Sequence, residues 1–423
     1  MEQEVWRMIT ESCKCRVCGS YDLHSVINLG EQVLASVFPK DKTEKILKAP
    51  LELVKCNGEC GLLQLRHTID RDLMYGEGYG YKSGVNKTMQ NHLSEIVEYA
   101  MDMVSLEADD VIIDIGSNDG TLLSKYPDDI ESIGIDPSGE KFRHLYPKHS
   151  TLHTEYFDKL LLSKTKRAKI ITSIAMFYDL QDPLEFMNDI KSCLAFDGIW
   201  ITEMAYLPSM LNNNSFDTIC HEHLEYYGMT QIKWMADKVG LDVIDVVLTD
   251  INGGSFMVTL AHPNTNIPTN YRSVNYLINK EMEDGLDTMI PYKKFQKNIE
   301  SIAKQLKTVI KGINDQGEVV LGYGASTKGN VILQYAGITK EELPHIADRN
   351  PEKFNCFTPT GIPIISEEAA RWIKPNYFLV LPWHFKEEIL NREKAFIDGG
   401  GKFIFPLPTI RILPSTDYRE EKK

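Results

Sequence analysis

From Val111 onward, short apolar runs alternate with longer stretches of mixed polarity. VIIDIGSNDGTLL (Val111–Leu123) opens the series: an apolar run ends at Asp114, a glycine-rich turn follows, and then come residues able to open a helix. SIGIDPS repeats the strand end at Asp136, KIITSIAMFYDLQDP near Phe177 and Tyr178, and FDGIWITEMAYL at Glu203. Buried parallel strands read as near-continuous apolar runs, and their alternation with helical stretches predicts an α/β fold. Farther on, KKFQKNIESIAKQLKTVIKGI has apolar positions at helical spacing and predicts a connecting helix on a core face. EVVLGYGASTKGNVIL, IADRNPEKF and NYFLVLPWHFKEEIL then repeat the strand-to-helix pattern and predict a second α/β unit. The tail STDYREEKK is charged and expected to fray.

A chain of 423 residues exceeds one ordinary core, so two to three domains are expected. The net charge of −14 leaves no basic excess for nucleic-acid phosphates, yet allows a local basic pocket for one phosphorylated ligand. No apolar run is long enough to span a bilayer. The first residues, MEQEVWRMITESCK, lack a charged segment followed by an apolar one. A cytoplasmic protein with reduced cysteines is therefore expected, with no nucleic-acid or membrane partner, as a monomer or weak dimer.

Four of the eight cysteines form two close pairs, Cys15 and Cys18 in CRVCGS and Cys56 and Cys60 in CNGECG. In a reducing compartment this reads as a tetrahedral structural zinc site; a disulfide pair or unrelated thiols is the alternative. Four thiolates leave no open position, so such a metal holds fold instead of performing chemistry. Cys13 is a spare that can replace Cys15 as ligand. After this module runs MYGEGYGYKSG, where Tyr75, Tyr79 and Tyr81 cluster with glycines ahead of Lys82 and Ser83. Such a segment can serve as a lid, or it is a linker with tyrosines packed on the core.

The turn after Asp114 places Gly116 and Gly120 where backbone must turn sharply or approach a ligand. Asn118 and Asp119 stand where a pyrophosphate cradle would prefer neutral donors, so the turn suits hydroxyls, an ammonium or a sulfonium. Asp136 lies at the spacing of an acid that binds ribose hydroxyls. These features resemble the S-adenosylmethionine (SAM) site of class I methyltransferases; an ordinary buried βα turn is the alternative. Phe177 falls where such sheets present residues to the adenine end, and Ser83 is counted with the cofactor contacts.

SFDTICHEHLEYYGMT packs His221, Glu222 and His223 together with Cys220 after a strand end. Histidine takes or gives protons near neutrality, and a neighbouring carboxylate can fix its tautomer. Three readings stay open: a general acid/base site, a second metal site and plain polar residues. Downstream, Asn252 to Ser255 (NGGS) offers flexible backbone and polar side chains near a domain junction, or a hairpin turn. Gly322 to Lys328, with Ser326 and Thr327, can seat a phosphate or diphosphate at a helix N-terminus. Trp383 can stack on a nucleobase or sugar, or fill a core.

The double cysteine knuckle, DIGSNDG, HEHLEYY, INGGSFMVTL and VVLGYGASTKGN occur in the order found in the three-domain C-methyltransferases of nucleotide-linked keto-deoxysugars, which the chain resembles nearly end to end. The resemblance implies a small zinc-binding module (1–75), a central Rossmann-like class I SAM domain with its lid segment (76–248) and a C-terminal Rossmann-like α/β domain that holds the sugar nucleotide (249–423). It implies C-methylation at C3′ of a 4-keto-6-deoxysugar carried on dTDP, GDP or CDP. His223 resembles the family base with Glu222 beside it as an orienting or electrostatic partner, and Tyr79 and Tyr81 resemble the lid aromatics, one of which is expected to donate a hydrogen bond to the enolate. Family members often have a tyrosine where Cys220 stands. His221, Asn252, Gly254, Ser255, Tyr323, Ser326, Lys328 and Trp383 are the expected sugar-nucleotide contacts. The zinc-held module is expected to act as a lid over the central domain. The competing readings are O- or N-methylation of a sugar nucleotide, a nicotinamide-dependent sugar-nucleotide oxidoreductase, and a non-enzymatic zinc-knuckle binding protein.

Overall fold

The computed structural model describes residues 8–41, 43–44, 46–74, 82–162 and 166–414. Tyr75, Tyr79 and Tyr81 lie outside the described residues. In the N-terminal part, five strands occur: β1 (Ile9–Glu11), β2 (Leu23–Val33), β3 (Lys48–Cys56), β4 (Leu63–Leu65) and β5 (His67–Ile69). β2, β3 and β4 form an antiparallel sheet, and β1 pairs with β5 apart from it.

The central sheet has seven strands. β6 (Val111–Ile115), β7 (Glu131–Ile135), β8 (Ser150–His153), β9 (Ala168–Ile174) and β10 (Leu194–Ala205) run parallel to one another. A two-residue strand, β11 (Glu225–Tyr226), leaves this unit to pair with β4, so the HEHLEYY segment completes the N-terminal sheet. β12 (Asp242–Thr249) and β13 (Ser255–Ala261) close the central sheet in the order β12-β13-β10-β9-β6-β7-β8. β13 runs antiparallel between β12 and β10. The boundary expected after residue 248 falls between β12 and β13 of this sheet: without β13, β12 has no hydrogen-bonded partner in it. The central unit reaches at least Ala261, and the helix Tyr271–Glu283 packs on β12 as well.

β6 is wholly buried, which is why VIIDI reads as one apolar run. The helix expected after its turn is only a 3-10 turn, Leu123–Lys125. Pro127 follows at once and disfavours helical backbone at Tyr126, so the segment stops there.

The C-terminal sheet is β14 (Val320–Tyr323), β15 (Ile346–Asp348), β16 (Ile364–Ser366), β17 (Tyr377–Val380), β18 (Lys402–Phe405) and β19 (Arg411–Leu413). Its order is β16-β15-β14-β17-β18-β19, parallel except for the last pair. The chain leaves β14 at the point where strand order reverses, the place where open α/β sheets bind ligands.

The expected connecting helix is Ile290–Asp315. It buries Tyr292, Phe295, Ile299, Ile302, Leu306 and Ile310 on one stripe and packs on both β2 and β14. Residues of β2, β3 and β4 thus share one apolar core with the C-terminal sheet. Polar ties reinforce it: Asn330 Nδ2 donates to the Ala35 carbonyl at 2.7 Å, and Gln334 Oε1 accepts from Val33 N at 2.8 Å. The N-terminal module therefore buttresses the C-terminal domain, and its cysteine end (Cys15, Val17, Cys56, Cys60 and Leu62) joins the core of the central one. Its exposed-strand edge had to be covered by something, and the long amphipathic helix supplies that cover.

Candidate active site

The four cysteines converge. All four Sγ atoms lie within 4.8 Å of one another, with Cys15–Cys60 and Cys18–Cys56 at 3.5 Å. Tetrahedral thiolates about 2.3 Å from zinc stand about 3.8 Å apart, so the set fits the ion. The contact with Cys56 holds Cys15 up, to about 12, and that with Cys15 pushes Cys60 well above the ordinary thiol range. A dication relieves this by favouring thiolates. Gly58 N donates to Cys56 Sγ at 3.2 Å, and Gln231 Nε2 donates to the Cys60 carbonyl at 3.0 Å, which ties the site to the central domain. Cys13 is exposed and apart from the cluster.

At the first joint, Gly116, Asn118 and Gly120 all have positive φ (74°, 49° and 72°). A Cβ on Gly120 would come within 2.9 Å of the Tyr146 ring, so only glycine fits there. Asp136 ties the turn: its Oδ2 accepts from Asn118 N at 2.8 Å and its Oδ1 from Ser138 N at 2.7 Å. Asn118 Oδ1 accepts from Ser83 N at 3.0 Å and Asp119 Oδ2 from Gly84 N at 2.9 Å. Ser83 is thus clamped on the turn. Asp114 is buried and accepts from Thr172 Oγ1 at 2.7 Å; burial pushes its carboxyl up to about 7. Three acids around a ligand-sized turn suit a cationic, hydroxyl-bearing ligand. Phe177 does not face this turn. It is fully buried and stacks on Tyr227 with ring centroids 5.4 Å apart. Ala175, at φ 55°, swings the chain so that Met176 takes the place beside Gly116.

Between the two large sheets stands His223. Its Nδ1 lies 2.8 Å from the Thr218 carbonyl. A carbonyl only accepts, so Nδ1 carries the proton and Nε2 keeps a free lone pair in the neutral ring. Burial, then the charge of Lys328, pull its pKa down to about 4, and Glu222 partly offsets this. The Tyr178 ring meets it edge-on at 4.3 Å. Cys220 is buried; burial, then the charge of Glu222 nearby, pushes its thiol well up, so it stays protonated. His221 turns the other way. It is 2 % exposed and its Nε2 donates to the Ala49 carbonyl at 3.1 Å, so it joins the N-terminal module to this segment and does not line the sugar side.

At the second joint, Gly324 has φ 80° and Ser326 Oγ caps the helix Thr327–Ala336, accepting from Gly329 N at 3.0 Å. Ala325 N donates to Asp348 Oδ2 at 2.7 Å, and Lys353 Nζ donates to the Ala325 carbonyl at 2.7 Å. Lys328 reaches away from the joint to donate to the Asn252 carbonyl at 3.1 Å. Trp383 lies against Gly253, and its Nε1 donates to Asp217 Oδ2 at 2.8 Å. Gly254 packs so tightly on Ser209 that a Cβ would come within 2.6 Å, and Ser255 is buried in β13. Tyr323 is a correction: it is 3 % exposed, and its hydroxyl bonds Glu393 at 2.8 Å inside the C-terminal core.

The comparisons follow this geometry. Three family models match consecutive parts of the chain: "Putative zinc binding domain" over residues 15–75, "Methyltransferase domain" over 85–246 and "C-methyltransferase C-terminal domain" over 250–408. The chain is also 29% identical to C-methyltransferase NovU of Streptomyces niveus, over 97% of this chain and 98% of that one. The chain belongs to the three-domain C-methyltransferases. Structures of an S-adenosylmethionine-dependent methyltransferase from Clostridium acetobutylicum (16% identical, 41% of this chain and 92% of that one, TM-score 0.33) and of N-methyltransferase NodS from Bradyrhizobium japonicum (12%, 46% and 96%, TM-score 0.34) also match. In this C-methyltransferase SAM is the methyl donor and zinc a structural ion.

Sequence reasoning passed over two buried groups of the methyltransferase. Asp217, 1 % exposed, sits in the same segment as His223 without a patterned partner in the sequence, and only folding brings Trp383 to it. His92 Nε2 lies 2.8 Å from both Glu203 oxygens at a strand end. Burial alone would lower His92, but Glu203 overcomes it and raises the imidazole. His92 lines a cavity of about 470 Å³ that extends to Asn252 and His384. Among the described residues, no helix is long and apolar enough to cross a membrane.

Proposed function

We propose that the protein transfers the SAM methyl to C3′ of a nucleotide-linked 4-keto-6-deoxysugar, with His223 as base. The observation that carries this reading is the 2.8 Å contact of His223 Nδ1 with the Thr218 carbonyl, which assigns the proton to Nδ1 and leaves Nε2 to accept one, while burial, then Lys328, keeps the ring neutral at pH 7. A base is needed where carbon is the nucleophile, because the C3′ proton is acidified only by the C4′ ketone. Bound SAM supplies an electrophilic methyl on sulfur. Asp136 would hold its ribose hydroxyls with lone pairs that the turn amides leave free, and Asp119 would lend negative charge near the sulfonium. Glu222, backed by the Cys220 thiol, orients or polarises the base. The nucleotide lies on the C-terminal side, with its phosphates at the Ser326-capped helix and its base or sugar near Trp383. The protein excludes water and aligns the two reactants, a contribution that spares an encounter in solution.

His223→Asn should lower turnover by about 10²–10⁴-fold with SAM affinity unchanged. The assay is methyl transfer to a C3′-deuterated dTDP-, GDP- or CDP-linked 4-keto-6-deoxyhexose, in which C-methylation releases the deuterium. Near-normal turnover in the variant, or product that retains the deuterium, would sink the assignment. Because neutral His223 is the active form, activity in the intact protein should hold as pH falls through 6.

A further inference from the structure

We propose that Lys328 is a catalytic residue of the methyl transfer: its ammonium donates to the ketone oxygen of the acceptor and holds the negative charge that forms there when His223 takes the neighbouring carbon's proton. This rests on the C3′ reading above and adds to it the group that stabilises the enolate.

Placement is the main argument. Lys328 is in the first turn of the helix Thr327–Ala336, and that helix packs directly on the turn Phe216–Thr218. The same turn supplies the Thr218 carbonyl that pins His223. Base and ammonium are therefore set from one three-residue turn, across the seam of two domains. Lys328 Nζ makes a hydrogen bond to the Asn252 carbonyl, whose residue is held at φ 56° to present it. That anchors one of three ammonium protons. Asp217, buried in the same turn, spends Oδ2 on Trp383 and has no hydrogen-bond partner at Oδ1. Burial works against the Lys328 ammonium and the Asp217 charge partly offsets this; burial, then the charge of Lys328, lowers the neighbouring His223 and His384. An ammonium with neutral imidazoles around it is a donor kept for an anion.

The alternative role, a phosphate contact at the helix N-terminus, fits the side chain less well. Lys328 runs away from the Gly324 joint, and the lysine at that joint is Lys353. The chemistry balances without another reactant. The C3′–H bond breaks and its proton passes to His223 Nε2. The electron pair forms C3′=C4′, and the carbonyl pair moves onto the oxygen facing Lys328. The enolate carbon then takes the sulfonium methyl as the S–CH₃ bond breaks onto sulfur, and the carbonyl re-forms. His223 returns its proton to water.

The experiment separates enolisation from binding and from methyl transfer. Full-length protein is incubated in D₂O with S-adenosylhomocysteine and dTDP-, GDP- or CDP-linked 4-keto-6-deoxyhexose, and C3′ exchange is read by NMR. Binding of the parent nucleoside diphosphate and of SAM is titrated in the same preparations, the latter as a check on fold. Lys328→Met should slow exchange at saturation by about 10²–10³-fold, the size expected for one oxyanion donor, with both affinities within about threefold of the intact protein. Lys328→Gln keeps a donor for the Asn252 carbonyl, removes the charge and should lose nearly as much. If either variant exchanges normally at saturation but binds the nucleotide more weakly, Lys328 is a phosphate ligand and the proposal is overturned. If the unmodified protein exchanges C3′ with none of the three sugars, the C3′ reading itself fails and this proposal with it.

Discussion

The chain builds the same backbone joint in its central and C-terminal sheets and dresses the two with opposite charge. In the first, Gly116 N donates to the Ile135 carbonyl at 2.8 Å and Asn118 N to Asp136 Oδ2 at 2.8 Å. In the second, Gly324 N donates to the Ala347 carbonyl at 2.8 Å and Ala325 N to Asp348 Oδ2 at 2.7 Å. Each acid also takes the amide two residues beyond it, Ser138 N and Asn350 N, both at 2.7 Å. The backbone thus makes a ligand turn in both places. Side chains choose the ligand: Asp114 and Asp119 crowd the first, while Ser326 and Lys353 mark the second. Only the second is followed by a capped helix, of 10 residues, whose N-terminal dipole favours an anion.

Removing the metal should produce the largest effect, and an unequal one. Asn330 and Gln334, on the helix of the second joint, bond to Ala35 and Val33 of the zinc module. Cys15→Ser should cost most of the soluble protein. In what remains, hydrogen exchange should quicken at Thr327–Ala336 before it does at β6. A zinc-free variant by elemental analysis with full activity and unchanged exchange would refute the structural-metal role.

Swapping the acids tests the pairing of joint to ligand at intermediate size. Asp136→Ala should weaken SAM by about 10–100-fold, consistent with about 1–3 kcal/mol for a lost acceptor at a buried amide, and leave nucleoside diphosphate binding alone. Asp348→Ala should do the reverse. Calorimetric titration of both ligands against both variants reads the crossing; equal losses in all four would show that the joints act as one site.

Asp114→Asn is the smallest change. Folded, Asp114 holds its proton up to about pH 7, while unfolded it releases it near the ordinary carboxyl value. The folded form therefore binds more protons between those values, and stability from this group is full at low pH and declines as pH rises to about 7. The amide removes the decline. Thermal melts should show the variant gaining about 2–4 °C on the intact protein between pH 5 and pH 8. Parallel pH profiles would mean that the acid is not protonated in the fold.

Much of this was legible from residue order. The cysteine pairs read as one cluster because two short loops place four thiols with no other chemistry to satisfy. DIGSNDG read as a ligand turn because positive φ and an acid on the next strand leave a local signature. The misplacements have a common cause. Phe177, His221 and Tyr323 were assigned by their distance along the chain from a motif, yet a one-residue change at a strand end turns a side chain to the other face. Ala175 in the left-handed region makes that change for Phe177. The pairing of β13 with the central sheet was not legible, because an antiparallel insertion pairs with strands on either side of it in space and leaves no local mark.

The sequence by itself determined the kinds of joint, the metal set and the presence of a histidine–carboxylate pair, because each depends on neighbours a few residues away. Tertiary structure alone decided that the zinc module is a buttress, that Asp217 meets Trp383 and that Lys328 crosses to Asn252 beside the base. Those contacts join residues far apart in the chain, and the packing of whole sheets and helices, not any local preference, sets which of them meet.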